Sequence, residues 1–220
     1  MPSTVVHLAL AGLIAAALLG RAFDGRALAV VLGLVVIPDL DAFAGLFIPG
    51  GHRALLHTLL FPVGLAALVY YDTRIRSTSW LVGRLDGSGP RVAWVGILAI
   101  VFAGIGPDLV GAGANVLYPI HDQFYAFNGK LELSTQHGLV QTFVDLSPTA
   151  SDGGGAAVGS TAEVHISSGV DPQRGPEPDN VDRVFPVARS GSQLLLVVTS
   201  IVVVGVRLVE ARMADERPVE

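Results

Sequence analysis

Long apolar blocks, broken by very few charges, limit this chain to a small set of architectures. Val5 to Leu19 is apolar except for His7, and Ala27 to Ile37 holds no polar side chain at all. Further apolar stretches run over residues 52–71, 92–116 and 193–209. Each approaches the roughly 20 residues needed to cross a hydrocarbon core about 30 Å thick. Apolar residues make up 51% of the chain and charged ones only 15%, with a mean hydropathy of +0.57. An ordinary soluble domain carries more charge than this. The pattern predicts an all-α, multi-pass membrane helical bundle with about five transmembrane helices and one long polar loop.

The first helix is expected from about Ser3 to Gly20. No basic stretch precedes it, and Arg21 and Arg26 follow it, unlike a signal peptide. Its length requires an upright path or a thinned bilayer. The second helix is expected from Ala27 to Ile48, kinked or broken at Pro38, whose ring removes a backbone donor. Pro49-Gly50-Gly51 reads as a turn. The third helix is expected from about His52 to Tyr71, with Tyr70 and Tyr71 in an interfacial aromatic belt. A loop with Arg74, Arg76, Arg84 and Arg91 leads to a fourth helix from Val92 to Val116, interrupted near Gly104, Gly106 and Pro107. Phe124 to Val144 has the mixed aromatic and β-branched character of a short hairpin. The stretches Gly153 to Gly155 and Pro172 to Pro178 read as flexible. A fifth helix is expected over Gln193 to Val209. The predicted organisation is a four-helix membrane domain over 1–118, an acidic, partly disordered extracellular loop over 119–190, a fifth transmembrane helix over 191–210 and a charged cytoplasmic tail over 211–220.

Charge is distributed unevenly. The net charge of −5 resides in residues 117–190, where nine acidic side chains face four basic ones. Lys130 is the one lysine among fourteen basic residues. An acidic, lysine-poor polar face suits a halophile's protein, and a GC-rich genome favouring Arg codons gives the same composition. No basic patch is present to bind nucleic acid. The absence of cysteine excludes disulfides, thiolate metal sites and cysteine nucleophiles. With five helices and the C-terminus in the cytoplasm, the inner segments carry nine basic residues and the outer ones five. The positive-inside rule then places the N-terminus and the long loop outside.

Against this background the ionisable residues inside apolar blocks stand out, because such groups are costly at membrane depth and mark function by default. They are His7, Asp39, Asp41, His52, Arg53, His57 and Asp108. At helical rise Asp39 lies roughly 18 Å and Asp108 roughly 24 Å from the inner ends of their helices, while His7 and His57 lie near the outer ends. Four helices thereby place rare polar groups at one level in the outer half of the bilayer. His and Asp together suit zinc, manganese or iron. Two aspartates at i and i+2 can both reach one centre, or one can ligate while the other orients a histidine. On a helix His52 and His57 diverge by about 140°, whereas Arg53 and His57 share a face. An arginine beside a metal suits an anionic group such as phosphate. The bland counterpart is a buried ion-pair lock of aspartates with Arg53. His121 and His137 stand between site lid and solvated surface, and His165 reads as surface.

An early His in helix one, Asp39-Leu-Asp41 ending helix two, and His52-Arg-Ala-Leu-Leu-His57-Thr58 opening helix three resemble the YdjM-like family of membrane-bound metal-dependent hydrolases. Asp108 and Leu117-Tyr118-Pro119 match that family's later motif in order and spacing. The resemblance covers about Met1 to Lys130. One position departs from it: Gly104 stands where the family has a histidine, and His121 or His137 is the candidate replacement. The resemblance implies a divalent metal cofactor (zinc, manganese or iron) held by His7, Asp39, Asp41, His57 and Asp108. His52 and Arg53 would then be the catalytic groups. The expected partners are the lipid bilayer and a lipid-like ester or phosphoester substrate at the outer face. A non-enzymatic scaffold, or an ion or proton pathway through the same His/Asp/Arg network, is the alternative.

Overall fold

Ser3, itself extended, accepts a hydrogen bond from the Val6 amide, and helix α1 (Thr4–Leu18) follows from this cap. A computed structural model of the protein describes residues 3–85, 87–143 and 157–215. Asp24 caps α2 (Gly25–Asp39) through the Ala27 amide, and a single residue, Leu40, separates α2 from α3 (Asp41–Ala44). The interruption expected at Pro38 falls just after it, since α2 ends at Asp39. Pro38 sits in the last turn of α2, where its missing N–H leaves the carbonyl four residues back without a helical partner and the helix stops one residue later.

The third helix differs more. Residues 45–59 are irregular, and α4 covers only Leu60–Tyr70, extended by a π-helical turn over Tyr71–Ile75. The expected start at His52 is thus eight residues too early. Non-helical partners take the backbone donors of this stretch: the Arg53 and Leu56 amides donate to the Asp41 carboxylate, and the Leu59 amide donates to Val116 O. A backbone satisfied in this way has no need of a helix. Arg53 itself adopts φ +62°, a conformation incompatible with an α-helix.

Helix α5 (Trp80–Arg84) is a short capped turn, and α6 (Gly89–Ala99) continues through a π-helical segment (Ile100–Ile105) into α7 (Gly106–Leu109). This run stops at Leu109, short of the expected Val116. Beyond it, Gly111 and Gly113 take positive φ, Ala114 pairs with Tyr125, and the Asn115 amide donates to Arg53 O. Helix α8 spans Gly191–Asp215, longer than expected.

Helices α1, α2 and α6 enclose the core, with Ala11, Ala15 and Leu19 facing Val31, Val35, Val95 and Ala99. Helix α8 lies along α1, where Gly12 faces Val204 and Ser200, and the Ser200 hydroxyl donates to Ala9 O. Small residues at such a contact let two helices approach closely. The protein is mostly helical. Three helical runs, Gly25–Ala44, Gly89–Leu109 and Gly191–Ala214, are long and apolar enough to cross a membrane. Helix α1 is apolar but shorter, at 15 residues.

The polar part carries β1 (Phe124–Tyr125) paired antiparallel with β4 (Ala157–Gly159), and a hairpin of β2 (Leu131–Ser134) with β3 (Gly138–Gln141). The hairpin falls within the stretch predicted for one. Residues 160–189 form no regular element, yet Ile166 is buried against Ala54 and Phe124, which fastens them over the helix ends. The Gly153 to Gly155 stretch and the last five residues of the tail lie outside the described residues.

Candidate metal centre

The centre begins with α1. Thr4 and His7 are one turn apart and face the same way. The Thr4 hydroxyl donates to Asp39 Oδ2, and His7 donates from Nδ1 to Ala103 O at 2.5 Å. Pro107 explains why that carbonyl takes a side-chain partner: it stands four residues on and has no N–H to offer. With Nδ1 occupied, Nε2 of His7 turns to Asp108 Oδ1 at 3.5 Å.

His57 is oriented by the same logic from the irregular segment. It donates from Nδ1 to Asp41 Oδ2 at 2.9 Å, and its Nε2 then lies 2.9 Å from Asp108 Oδ2 and 3.7 Å from Asp39 Oδ1. Two imidazoles thus direct Nε2 at Asp108, and that of His57 lies near Asp39 as well. One ligand atom each of His7, Asp39 and Asp108 lies within 4.8 Å of the other two. His7, His57 and Asp108 are at most 2% exposed, and Asp39 stands at the edge with a 20% exposed side chain.

Asp41 was expected among the ligands and is placed elsewhere. Its Oδ1 accepts from the Arg53 amide and its Oδ2 from Leu56 N and His57 Nδ1. It stands behind His57 and orients it, as carboxylates do for metal-binding histidines. Arg53 Nη2 meets Asp108 Oδ1 at 2.6 Å. The helical geometry used to compare His52, Arg53 and His57 does not apply, since none of the three is in a helix. Arg53, at positive φ, and His57 nevertheless both meet Asp108.

The buried atoms around Asp108 are close but not aligned as hydrogen bonds. Among the described residues, both Asp108 oxygens, His57 Nε2, and Arg53 Nε and Nη1 are buried without a hydrogen-bond partner. Orphaned polar atoms are costly in a dry interior. Asp39, Asp41 and Asp108 face one guanidinium, so the cluster holds two excess negative charges when both histidines are neutral. A divalent cation offsets that charge and takes His57 Nε2 and the carboxylate oxygens as ligands, while the Arg53 N–H groups call for an acceptor instead, so the His and Asp donor set fits zinc, manganese or iron.

His52 donates from Nδ1 to Ile166 O at 2.8 Å and lies edge-on to His57, with ring centroids 6.4 Å apart. It therefore ties the polar segment to the centre. His121 and His137 are exposed, His121 pairing with the Tyr125 hydroxyl, so neither replaces the histidine missing at Gly104. A Cβ at Gly104 would meet Val35 O and Pro38 Cγ at 3.6 and 3.7 Å, ordinary contacts on the α2 face next to Asp39. His165 is half-buried with Nδ1 3.8 Å from Asp171 Oδ2, away from the centre.

Sequence reasoning missed Thr4, the Ala103 carbonyl and Asn115. Thr4 had a signal in its i, i+3 spacing to His7, and Ala103 in its position four before Pro107. Asn115 had none. It is fully buried, its amide holds Arg53 O, and its side chain donates to Asp122 Oδ1 at 2.7 Å. Partial burial works against ionisation of Asp122. The Thr161 hydroxyl and amide outweigh it with help from Asn115, and the carboxyl titrates below its ordinary range.

A cavity of about 750 Å³ adjoins the centre. Its floor is the start of α1 and the end of α2, His7, Asp39, His52 and Arg53 line it beside the centre, and residues 167–189 roof it. The cluster of Asp41, His57 and Asp108 with His7 and Arg53 is thus a closed charged core opening through Asp39 and Arg53 onto this space. Compared with known proteins, the chain matches no family model, no curated protein and no solved structure.

Proposed function

We propose that this protein is an integral membrane, metal-dependent hydrolase of an ester or phosphoester, a YdjM-like enzyme in chemistry. The observation that carries the reading is the direction of two imidazole Nε2 atoms at Asp108, that of His57 lying near Asp39 as well, each ring anchored from behind, by Asp41 or by Ala103 O. A bound divalent ion supplies a Lewis acid and lowers the pKa of water at such a site. The chain's residues do the rest. His7, His57, Asp39 and Asp108 hold the ion. Asp41 fixes the tautomer of His57. Arg53 offers Nε and Nη1 to the developing anion, and His52, held through Nδ1, has Nε2 left to carry a proton to the leaving oxygen.

In this reading the chain spans the bilayer five times, α1 and α4 being the two short crossings, and the π-helical turn after α4 opens the inner loop. The N-terminus and residues 119–190 lie outside, and the C-terminus lies in the cytoplasm. The excess of arginine in the segments 20–26 and 74–91 supports that orientation.

The test is metal content of the detergent-purified protein by mass spectrometry, beside an Asp39→Ala/His57→Ala double variant. Near-stoichiometric zinc, manganese or iron, lost in a still-folded variant, supports the reading. No metal after reloading overturns it. The 2.6 Å contact of Arg53 with Asp108 favours a second reading, a scaffold held by a buried ion-pair lock. There the double variant loses thermal stability and the wild type holds no metal.

A further inference from the structure

The cavity beside the centre is lined by two kinds of side chain. Val5, Val36, Leu40, Phe43, Val184 and Phe185 line it with apolar side chains, Asp39 and Arg53 line it beside the centre, and Asp182 and Arg189 add charge from the roof. Arg53 is 3% exposed, and its Nε and Nη1 have no partner among the described residues. These two donors point to different sides of the planar guanidinium, and each offers a charge-assisted hydrogen bond to one oxygen of an anion such as phosphate. Nη2, which both edges of the fork share, already meets Asp108. A volume of about 750 Å³ lies within the roughly 300–1,000 Å³ of small-molecule sites. It accommodates one apolar chain with its head group.

We infer that this cavity binds a single-chain amphiphile with a phosphate-type anionic head, the head on Arg53 and the chain along Val36, Leu40 and Val184. This deepens the hydrolase reading by naming its substrate class, and it rests on that reading for the ion that offsets the carboxylates. The roof contributes directly. Val184 and Phe185 belong to the segment tied down by His52 at Ile166 and by the Ser3 hydroxyl at Val187 O. A chain lying under that roof buries apolar surface on both sides, which inorganic phosphate does not.

The test is calorimetric titration of the full chain in zwitterionic nanodiscs with dodecyl phosphate, inorganic phosphate and dodecyltrimethylammonium, metal content being measured on the same samples. Dodecyl phosphate is expected to bind at least tenfold more tightly than either other probe. Arg53→Gln is expected to remove its advantage over the cationic amphiphile. Leu40→Trp and Val184→Trp are expected to weaken dodecyl phosphate at least tenfold and leave inorganic phosphate and metal content unchanged. Equal binding of the two amphiphiles, or no effect of either tryptophan, overturns the inference. A metal-loaded protein with no preference for dodecyl phosphate overturns the inference and leaves the hydrolase standing. A metal-free protein that keeps the preference does the reverse.

Discussion

His57 donates from Nδ1 to Asp41 Oδ2 across 2.9 Å, and this contact turns the other face of the ring to Asp108. The two residues are sixteen apart, and Asp41 in turn receives the amides of Arg53 and Leu56. One carboxylate thus shapes the irregular segment and sets the tautomer of the histidine it carries.

Asp41→Asn should keep the fold but weaken the hold on His57, since a carboxamide orients imidazole less strongly. Metal affinity is expected to fall about 10–100-fold, the usual effect of losing an outer partner of a ligating histidine. Competition with a chelator of graded strength measures this. Asp122→Asn, which touches Thr161 and Asn115 but not the centre, should leave the affinity unchanged.

His52→Ala should release the roof. Without the hydrogen bond to Ile166 O, residues 160–189 lose an anchor to the helix ends. Limited trypsin digestion at Arg174 and Arg183 is expected to accelerate severalfold, with little change in melting temperature. Unaltered digestion would mean that the packing of Ile166 against Ala54 and Phe124 holds the roof alone.

Acid should loosen α5. The Ser79 hydroxyl and the Leu81 amide, then Trp80 N and Arg76, hold the Asp72 carboxyl down at about 2, against its ordinary 3.8. A depressed carboxyl contributes stability that is present above pH 3.8 and lost as pH falls through about 2. Trp80 fluorescence, in a Trp94→Phe background, should therefore change between about pH 4 and 2. In Asp72→Asn that change should be absent.

Gly12→Leu should separate α8 from α1. A Cβ at Gly12 already lies 3.0 Å from Val204 and 3.1 Å from the Ser200 hydroxyl, so a longer side chain has no space. Overpacking of this kind costs about 1–3 kcal/mol. Thermal unfolding in detergent reads the loss, and Gly33→Leu, with nothing near its Cβ, is the control expected to show little change.

Much of the architecture was legible without coordinates, because the free energy of burying a charge or exposing a long apolar run does not depend on the partner. That reasoning located the three helical runs that are long and apolar enough to cross a membrane. It also marked His7, Asp39, Asp41, Arg53, His57 and Asp108 as residues that needed one another. It could not say which pairs form. Local periodicity carries no information on a contact between Arg53 and Asp108, or on the Asn115 amide reaching Arg53 O. For the same reason residues 52–59 read as helix: their apolar pattern is helical, and only the Asp41 carboxylate and the Val116 carbonyl, brought in from elsewhere, draw their backbone away from it. Tertiary structure alone also placed residues 167–189 over the centre. Their polar composition predicts only that they avoid the hydrocarbon, not what they cover.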